Sequence, residues 1–85
     1  MMNYFKIIAW GECPFCVKAK ALLLEKGYEV EYVVLDHAPE LLKFYKSSYG
    51  MATVPIVVYC EEANKNEEVI GGYTDLVKHF SEKVG

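Results

Sequence analysis

The fold is decided at residues 11–16, GECPFC, which separate a strand-like run from a helix-like run. Residues 4–10, before this turn, are rich in aromatic and β-branched side chains, which is typical of a buried strand. Residues 17–26, after it, carry apolar side chains at helical spacing. A turn between a strand and a helix places Cys13 near the N-cap of the helix and Cys16 in its first turn.

Two cysteines three positions apart at a helix start favour one kind of chemistry. The unpaired backbone N–H groups of the first turn and the helix dipole favour a thiolate at Cys13. Pro14 suits the first helical position, because its fixed φ fits and its missing N–H would be unpaired there. Residues three apart on a helix are neighbours, so the sulfurs of Cys13 and Cys16 can form a disulfide. The turn therefore indicates a thiol–disulfide oxidoreductase.

Length and composition exclude several other classes of protein. The 85 residues, 53% of them hydrophobic, predict one small globular domain over residues 1–85. A net charge of −3 gives no electrostatic argument for nucleic acid or an anionic membrane, and no apolar run is long enough to span a bilayer. The N-terminal residues lack the features of a signal peptide, so we expect a cytoplasmic protein. Three cysteines do not make a disulfide scaffold, and we expect Cys60 to be an inert packing residue.

The order of the periodic segments predicts an α/β fold. A strand, a helix and a strand in immediate succession predict two parallel neighbouring strands. Two later strands, joined by a polar turn, predict a hairpin, and a helix follows them. The result is a four-stranded mixed sheet with three helices in the order β-α-β-α-β-β-α. The predicted strands cover residues 4–9, 28–36, 55–60 and 67–70, and the predicted helices cover residues 14–26, 40–48 and a last segment from about Thr74.

The first helix has apolar residues at several positions. Val17, Ala21 and Leu24 recur at helical spacing. We therefore expect these three to mark the buried face, which Ala19 and its apolar neighbours at 22 and 23 would broaden.

Three separated stretches of the chain resemble the glutaredoxins, a branch of the thioredoxin-fold proteins. They are CPFC at residues 13–16 with the helix after it, TVP at residues 53–55, and GGYTDL at residues 71–76. Their order and spacing agree with the family, and the likeness covers nearly the whole chain. The resemblance implies a thioredoxin-like fold. It also implies a glutathione-dependent oxidoreductase that reduces protein disulfides and protein–glutathione mixed disulfides.

The resemblance assigns roles around the dithiol. It implies that Cys13 is the nucleophile that attacks a disulfide as a thiolate. Cys16 is implied as the resolving thiol, more buried and therefore better protonated. Pro14, Phe15 and Pro55 would support the active site, and many relatives have tyrosine where this chain has Phe15. The bond before Pro55 is predicted to be cis, as in the family.

The other two stretches imply a glutathione site. The Val54 backbone, next to Thr53, would pair with the cysteinyl part of the ligand like an added strand. Gly72 would let the ligand approach closely, and the helix start at Thr74 would hold a carboxylate. Asp75 would pair with the ammonium group of the γ-glutamyl end. The same residues also suit a glycine turn with a Thr/Asp helix cap, and both interpretations can hold together.

Two positions near the predicted site depart from the family pattern. Relatives often have glutamine or arginine for the glycine carboxylate of glutathione near the place where this chain has Leu42. Lys43 and Lys46 are the candidate substitutes. Relatives often have lysine two or three positions before the nucleophile, where this chain has Trp10 and Gly11. Trp10 either forms an apolar wall or packs at the end of the strand.

The resemblance also implies partners. Glutathione would be the reducing co-substrate, with no tightly bound cofactor and no metal, and ribonucleotide reductase is a candidate substrate of a protein that acts as a monomer. One alternative is a thioredoxin-like carrier that a reductase reduces. Another is an iron–sulfur or metal-binding module. Pro14 disfavours the cluster, because cluster-binding relatives usually lack this proline. A zinc site would need four ligands, and no second cysteine pair supplies them.

Overall fold

The computed structural model describes residues 3–84 of the chain, and side chains are described as far as residue 81. Its elements follow one another in the predicted order β-α-β-α-β-β-α. No helix within residues 3–84 is long and apolar enough to cross a membrane. The strands are β1 (Tyr4–Ala9), β2 (Glu29–Val34), β3 (Ile56–Cys60) and β4 (Glu67–Gly71), and the helices are α1 (Pro14–Glu25), α2 (Pro39–Tyr49) and α3 (Tyr73–Val84).

The four strands form one mixed sheet in the order β2-β1-β3-β4. β1 pairs with β2 in parallel, as the sequence predicts, and β3 pairs with both β1 and β4 in antiparallel fashion. β2 is shorter than its predicted range, because the parallel register runs from Tyr4 with Glu29 to Ala9 with Val34. The partner strand β1 offers no residues beyond those pairs. The carboxyl ends of β1 and β2 therefore lie at the same edge of the sheet.

Two hydrophobic clusters cover the two faces of the sheet. Alternate residues of β1 point to opposite faces, as the pleat requires. One cluster contains Phe5 and Ile7 of β1 together with buried residues of α1 and α3. The other contains Ile8 of β1 together with Leu42 of α2. Helices α1 and α3 therefore lie on one face and α2 on the other, and the two central strands are buried between them.

The buried face of α1 differs from the prediction. The sequence pattern favoured Val17, Ala21 and Leu24, but Val17 and Leu24 are each more than half exposed and Ala21 is also exposed. The residues fully buried from this helix are Cys16, Ala19 and Leu23, of which Ala19 and Leu23 were predicted as the broader part of the face. Apolar side chains occur nearly all round α1, so periodicity alone does not select a face. The small residues Cys16 and Ala19 let the helix pack closely on the sheet, and this contact sets the face.

Candidate active site

The turn after β1 holds the two cysteines as predicted. Cys13 is the N-cap of α1, with an extended backbone (φ −91°, ψ 111°), and Pro14 occupies the first helical position. The Cys13 Sγ atom accepts a hydrogen bond from the backbone N–H of Cys16 at 3.3 Å. This is the bond that an N-cap side chain makes to an unpaired amide of the first turn. A sulfur in this position is stabilised when it carries negative charge.

The two sulfurs differ in exposure. Cys13 is half-buried, whereas Cys16 is fully buried in the cluster between α1, α3 and the sheet. The pKa of the Cys16 thiol is raised to about 12. Burial is the largest cause, and the interaction with the Cys13 thiol adds to it. Cys16 is therefore protonated at neutral pH. The accessible sulfur is that of Cys13, and the difference in burial is the one that the family resemblance implies.

The carboxylate of Asp36, two residues after β2, holds the start of this turn. The Asp36 Oδ1 atom accepts a hydrogen bond from the backbone N–H of Gly11 at 2.8 Å. A Cβ atom at position 11 would lie 2.6 Å from Asp36 Oδ2, so the contact requires glycine. Sequence reasoning missed Asp36. The parallel pairing of β1 and β2 was the signal that could have found it, because it brings residues just after both strands to one edge.

One groove gathers most of the predicted site residues. It has a volume of about 250 Å³. Three separate stretches contribute: the first turn of α1, the segment before β3, and the start of α3. The bond between Val54 and Pro55 is cis, as predicted. The sequence did not single out Met51 or Tyr73 as lining residues. The lining residues are Phe15, Met51, Thr53, Val54, Pro55, Gly72, Tyr73, Thr74 and Asp75.

At the start of α3, Asp75 lies close to the two glycines that precede the helix. Asp75 Oδ2 accepts a hydrogen bond from the backbone N–H of Gly72 at 3.0 Å. Its side chain thereby returns to the helix start, in the manner of a capping box. Gly71 has φ +123°, and a Cβ atom there would meet the Asp75 carboxylate. The Asp75 part of the predicted Thr/Asp cap is confirmed, and Asp75 still lies exposed on the groove.

The opposite side of the cysteine turn has a second groove, of about 290 Å³, which Trp10 and Pro39 help to line. Trp10 is 48% exposed there, so it forms a wall and is not packed away at the strand end. Leu42 also lines this groove but is 5% exposed and belongs to the core. Of the candidate lysines, Lys46 places its Nζ atom 5.8 Å from the Trp10 ring centre. Neither Leu42 nor Lys46 lines the groove of the predicted glutathione residues.

The remaining cysteine lies away from the dithiol. Cys60 is 3% exposed in the cluster on the α2 face of the sheet, which confirms the prediction of a packing residue. Within the part of the chain that the structure describes, no three His, Cys, Asp or Glu side chains lie together as a metal site would require.

Comparison with known proteins places this geometry in a family. The glutaredoxin family model matches residues 5–63. A glutaredoxin of Pseudomonas aeruginosa is 35% identical over 77 residues, which are 91% of this chain and 80% of that protein. The hybrid peroxiredoxin hyPrx5 of Haemophilus influenzae is 39% identical over 69 residues, which are 81% of this chain but 26% of that protein.

Among solved structures, the crystal structure of glutaredoxin 1 from Francisella tularensis, complexed with cacodylate, superposes with a TM-score of 0.74. The two chains are 25% identical, and the alignment covers 96% of each. The fold described above agrees with this match, which covers nearly the whole of both chains. The chain belongs to the glutaredoxin family of thiol–disulfide oxidoreductases, within the thioredoxin-fold superfamily.

Proposed function

We propose that this protein uses glutathione to reduce protein disulfides and protein–glutathione mixed disulfides through Cys13 and Cys16. The observation that carries the proposal is the groove beside the cysteine turn. Thr53, Val54, Gly72, Thr74 and Asp75 all line it, although they come from segments about 20 residues apart in sequence. Phe15, two residues after the nucleophile, closes its other side.

The groove offers a distinct partner for each part of glutathione. An extended cysteinyl residue would pair with the backbone N–H and C=O groups of Val54, which lines the groove. The first turn of α3 presents unpaired N–H groups that suit the γ-glutamyl carboxylate. Asp75 supplies a negative charge for the adjacent ammonium group. This set of partners matches a zwitterion joined to a short extended peptide.

The first step of the reaction belongs to Cys13. Its thiolate attacks the glutathione sulfur of a mixed disulfide, the bond to the substrate sulfur breaks, and the substrate leaves as a thiolate that takes a proton. The Cys16 N–H bond to Cys13 Sγ stabilises the attacking anion. A second glutathione thiolate then attacks the glutathione sulfur bound to Cys13. Oxidised glutathione leaves, and the Cys13 thiolate is restored.

Reduction of a protein disulfide requires Cys16 as well. Cys13 attacks one substrate sulfur and forms a mixed disulfide with the protein. Cys16 loses its proton and attacks the Cys13 sulfur, so that the substrate leaves as a dithiol and Cys13 and Cys16 become a disulfide. Two glutathione molecules return this disulfide to the dithiol and become oxidised glutathione.

The proposal includes the setting of the reaction. Glutathione is a co-substrate and no cofactor is tightly bound. The protein acts as a monomer in the cytoplasm, and ribonucleotide reductase is one candidate among its disulfide substrates.

A pair of coupled assays tests the proposal. Reduction of a small disulfide by the purified protein is followed through NADPH, once with glutathione and glutathione reductase and once with thioredoxin reductase alone. We expect turnover with glutathione and none with the reductase alone. The reverse result would establish the thioredoxin-like carrier instead. A purified protein that is coloured and contains iron would support the cluster-binding module.

A further inference from the structure

Tyr32 of β2 has a buried hydroxyl group without a partner. Among the side chains that the structure describes, its Oη atom is the one buried nitrogen or oxygen that makes no hydrogen bond. Buried hydroxyl groups are nearly always paired, because an unpaired donor in the interior is costly. An exception of this kind calls for a physical reason.

The position of Tyr32 supplies one. In the parallel register Tyr32 lies opposite Ile7, and it packs against the same cluster that contains Ile7 and Cys16. Cys13 packs against this cluster as well. Lys20 of α1 covers the ring, with its Nζ atom 4.7 Å from the ring centre. The ring is half-buried, and its buried hydroxyl lies on the side of the sheet where the dithiol begins α1.

The pKa of Tyr32 is raised in part by its interaction with the two sulfurs. Burial is the largest cause that raises the pKa of Tyr32, and negative charge on Cys16 raises it next, followed by charge on Cys13 and on Asp36. These effects agree with the packing, because Tyr32 and Cys13 both lie against the cluster that contains Cys16. With its pKa raised, the phenol stays protonated and remains a donor throughout the working pH range.

We propose that the Tyr32 hydroxyl is a donor held for the Cys16 sulfur in the steps in which that sulfur carries negative charge. This assignment rests on the proposed dithiol function of Cys13 and Cys16. In the resolving step the Cys16 thiol gives up its proton, which ends on the leaving substrate sulfur. The Cys16 electron pair forms the bond to Cys13 Sγ, and the Cys13–substrate bond breaks. Tyr32 keeps its proton and only donates a hydrogen bond.

The hydrogen bond from Tyr32 also acts when the Cys13–Cys16 disulfide is reduced. When a thiol reduces the Cys13–Cys16 disulfide by attack on Cys13, Cys16 is the leaving group and again carries the charge. A hydrogen bond to a charged sulfur is stronger than one to a neutral thiol. The donor therefore costs stability in the resting protein and lowers the barrier when Cys16 reacts.

Tyr32→Phe tests the assignment, because it removes one oxygen atom and keeps the ring. The reduced protein is mixed with the aromatic disulfide DTNB, whose thionitrobenzoate product is coloured. Cys13 releases the first equivalent, and Cys16 releases the second when it resolves the mixed disulfide. We expect the rate of the second phase relative to the first to fall about tenfold in Tyr32→Phe at pH 7, since a charge-assisted hydrogen bond is lost. The pH profile of the second phase should move to higher pH.

Thermal unfolding separates this role from packing. The melting temperature of Tyr32→Phe should be unchanged or higher than that of the wild type, because an unpaired buried hydroxyl is removed. Tyr59→Phe is the matched control. Tyr59 packs against the same cluster, but its hydroxyl accepts a hydrogen bond from Asn3 Nδ2, near the opposite end of β1 from the dithiol.

Three results would overturn the assignment. One is a second phase as fast in Tyr32→Phe as in the wild type, and another is equal slowing in Tyr59→Phe. The third is a wild type that releases no second equivalent, which would refute the dithiol function together with the role of Tyr32. Failure of glutathione to support turnover, with both DTNB phases intact, would refute the proposed reductant alone.

Discussion

The carboxylate of Asp36 accepts a hydrogen bond from the backbone of Gly11 at 2.8 Å and thereby ties the end of β2 to the start of the cysteine turn. The two residues are 25 positions apart in sequence. Because β1 and β2 are parallel, both segments leave the sheet at the same edge, and one short bond fixes their distance. The geometry of the active-site turn depends on this contact as well as on the helix that follows it.

The contact between Gly11 and Asp36 gives a prediction that a double-mutant cycle can test. Asp36→Ala removes the acceptor and should cost about 1 kcal/mol of unfolding free energy. Gly11→Ala should cost a similar amount, because the new Cβ would meet Asp36 Oδ2 at 2.6 Å and force the carboxylate off the backbone. In the double variant the Asp36 carboxylate is absent, so the new Cβ atom at position 11 has nothing to clash with. Urea unfolding should therefore show a cost close to that of Asp36→Ala alone.

Asp36→Asn is the control, because its amide oxygen can still accept the Gly11 bond, and we expect its stability to stay within about 0.5 kcal/mol of the wild type. Strictly additive costs in the double variant would show that Gly11 and Asp36 do not interact.

The two cysteines should respond differently to replacement by serine. Cys13→Ser removes the accessible sulfur and should abolish reduction of every disulfide, since a serine hydroxyl is not ionised at neutral pH. Cys16→Ser leaves the nucleophile in place. It should retain reduction of a glutathione mixed disulfide and lose reduction of a protein disulfide, which needs the resolving thiol. Both activities are measured in the glutathione-coupled assay, and the opposite pattern would reverse the two assigned roles.

Sequence reasoning predicted what depends on local pattern. The element order, the cysteine turn and the cap at Asp75 follow from residues close together in the chain, whereas the cis bond before Pro55 was predicted from the family resemblance. The convergence of Thr53, Gly72 and Phe15 on one groove was accessible only through the family resemblance, because these residues come from three separate segments.

The features that the sequence did not predict depend on tertiary contacts. The buried face of α1 is set by how closely Cys16 and Ala19 approach the sheet. The positions of apolar residues along the helix do not reveal this distance. Asp36 and Tyr32 look like ordinary residues of an alternating strand. Their relationship to the dithiol appears only when the register of β1 and β2 is known.

A network on the α2 side of the sheet gives a prediction for pH. Lys6 Nζ lies 3.0 Å from Glu67 Oε2, and the Tyr49 hydroxyl donates to Glu67 Oε1 at 3.1 Å. The hydrogen bond from Lys6 is the largest cause that lowers the pKa of Glu67 below its usual value of 4.5. A carboxyl with a lowered pKa in the folded state adds stability above its unfolded pKa and loses it as the pH falls.

Glu67→Gln should therefore cost about 0.5–1 kcal/mol at pH 7, the range of a partly exposed ion pair. The difference from the wild type should shrink as the pH falls from 4.5, where the unfolded chain takes up the proton, through the lowered pKa of Glu67 in the folded protein. Urea unfolding at several pH values measures it. Glu68→Gln, on the exposed neighbouring position of β4, should show no such dependence. A cost at pH 7 that persists at pH 3 would contradict the assignment to charge.

Asp75 can be tested for its two roles separately. Asp75→Asn keeps an oxygen that can accept the Gly72 bond but removes the charge offered to the glutathione ammonium group. We expect KM for glutathione to rise about tenfold with little change in kcat or melting temperature, because one charge-assisted contact is lost. Asp75→Ala removes the cap as well and should also cost about 1 kcal/mol of stability. Glu25→Gln, at the far end of α1, is the control for loss of a negative charge. If Asp75→Asn left KM unchanged while the wild type used glutathione, Asp75 would serve only as the helix cap, and the ammonium group would have to bind elsewhere in the groove.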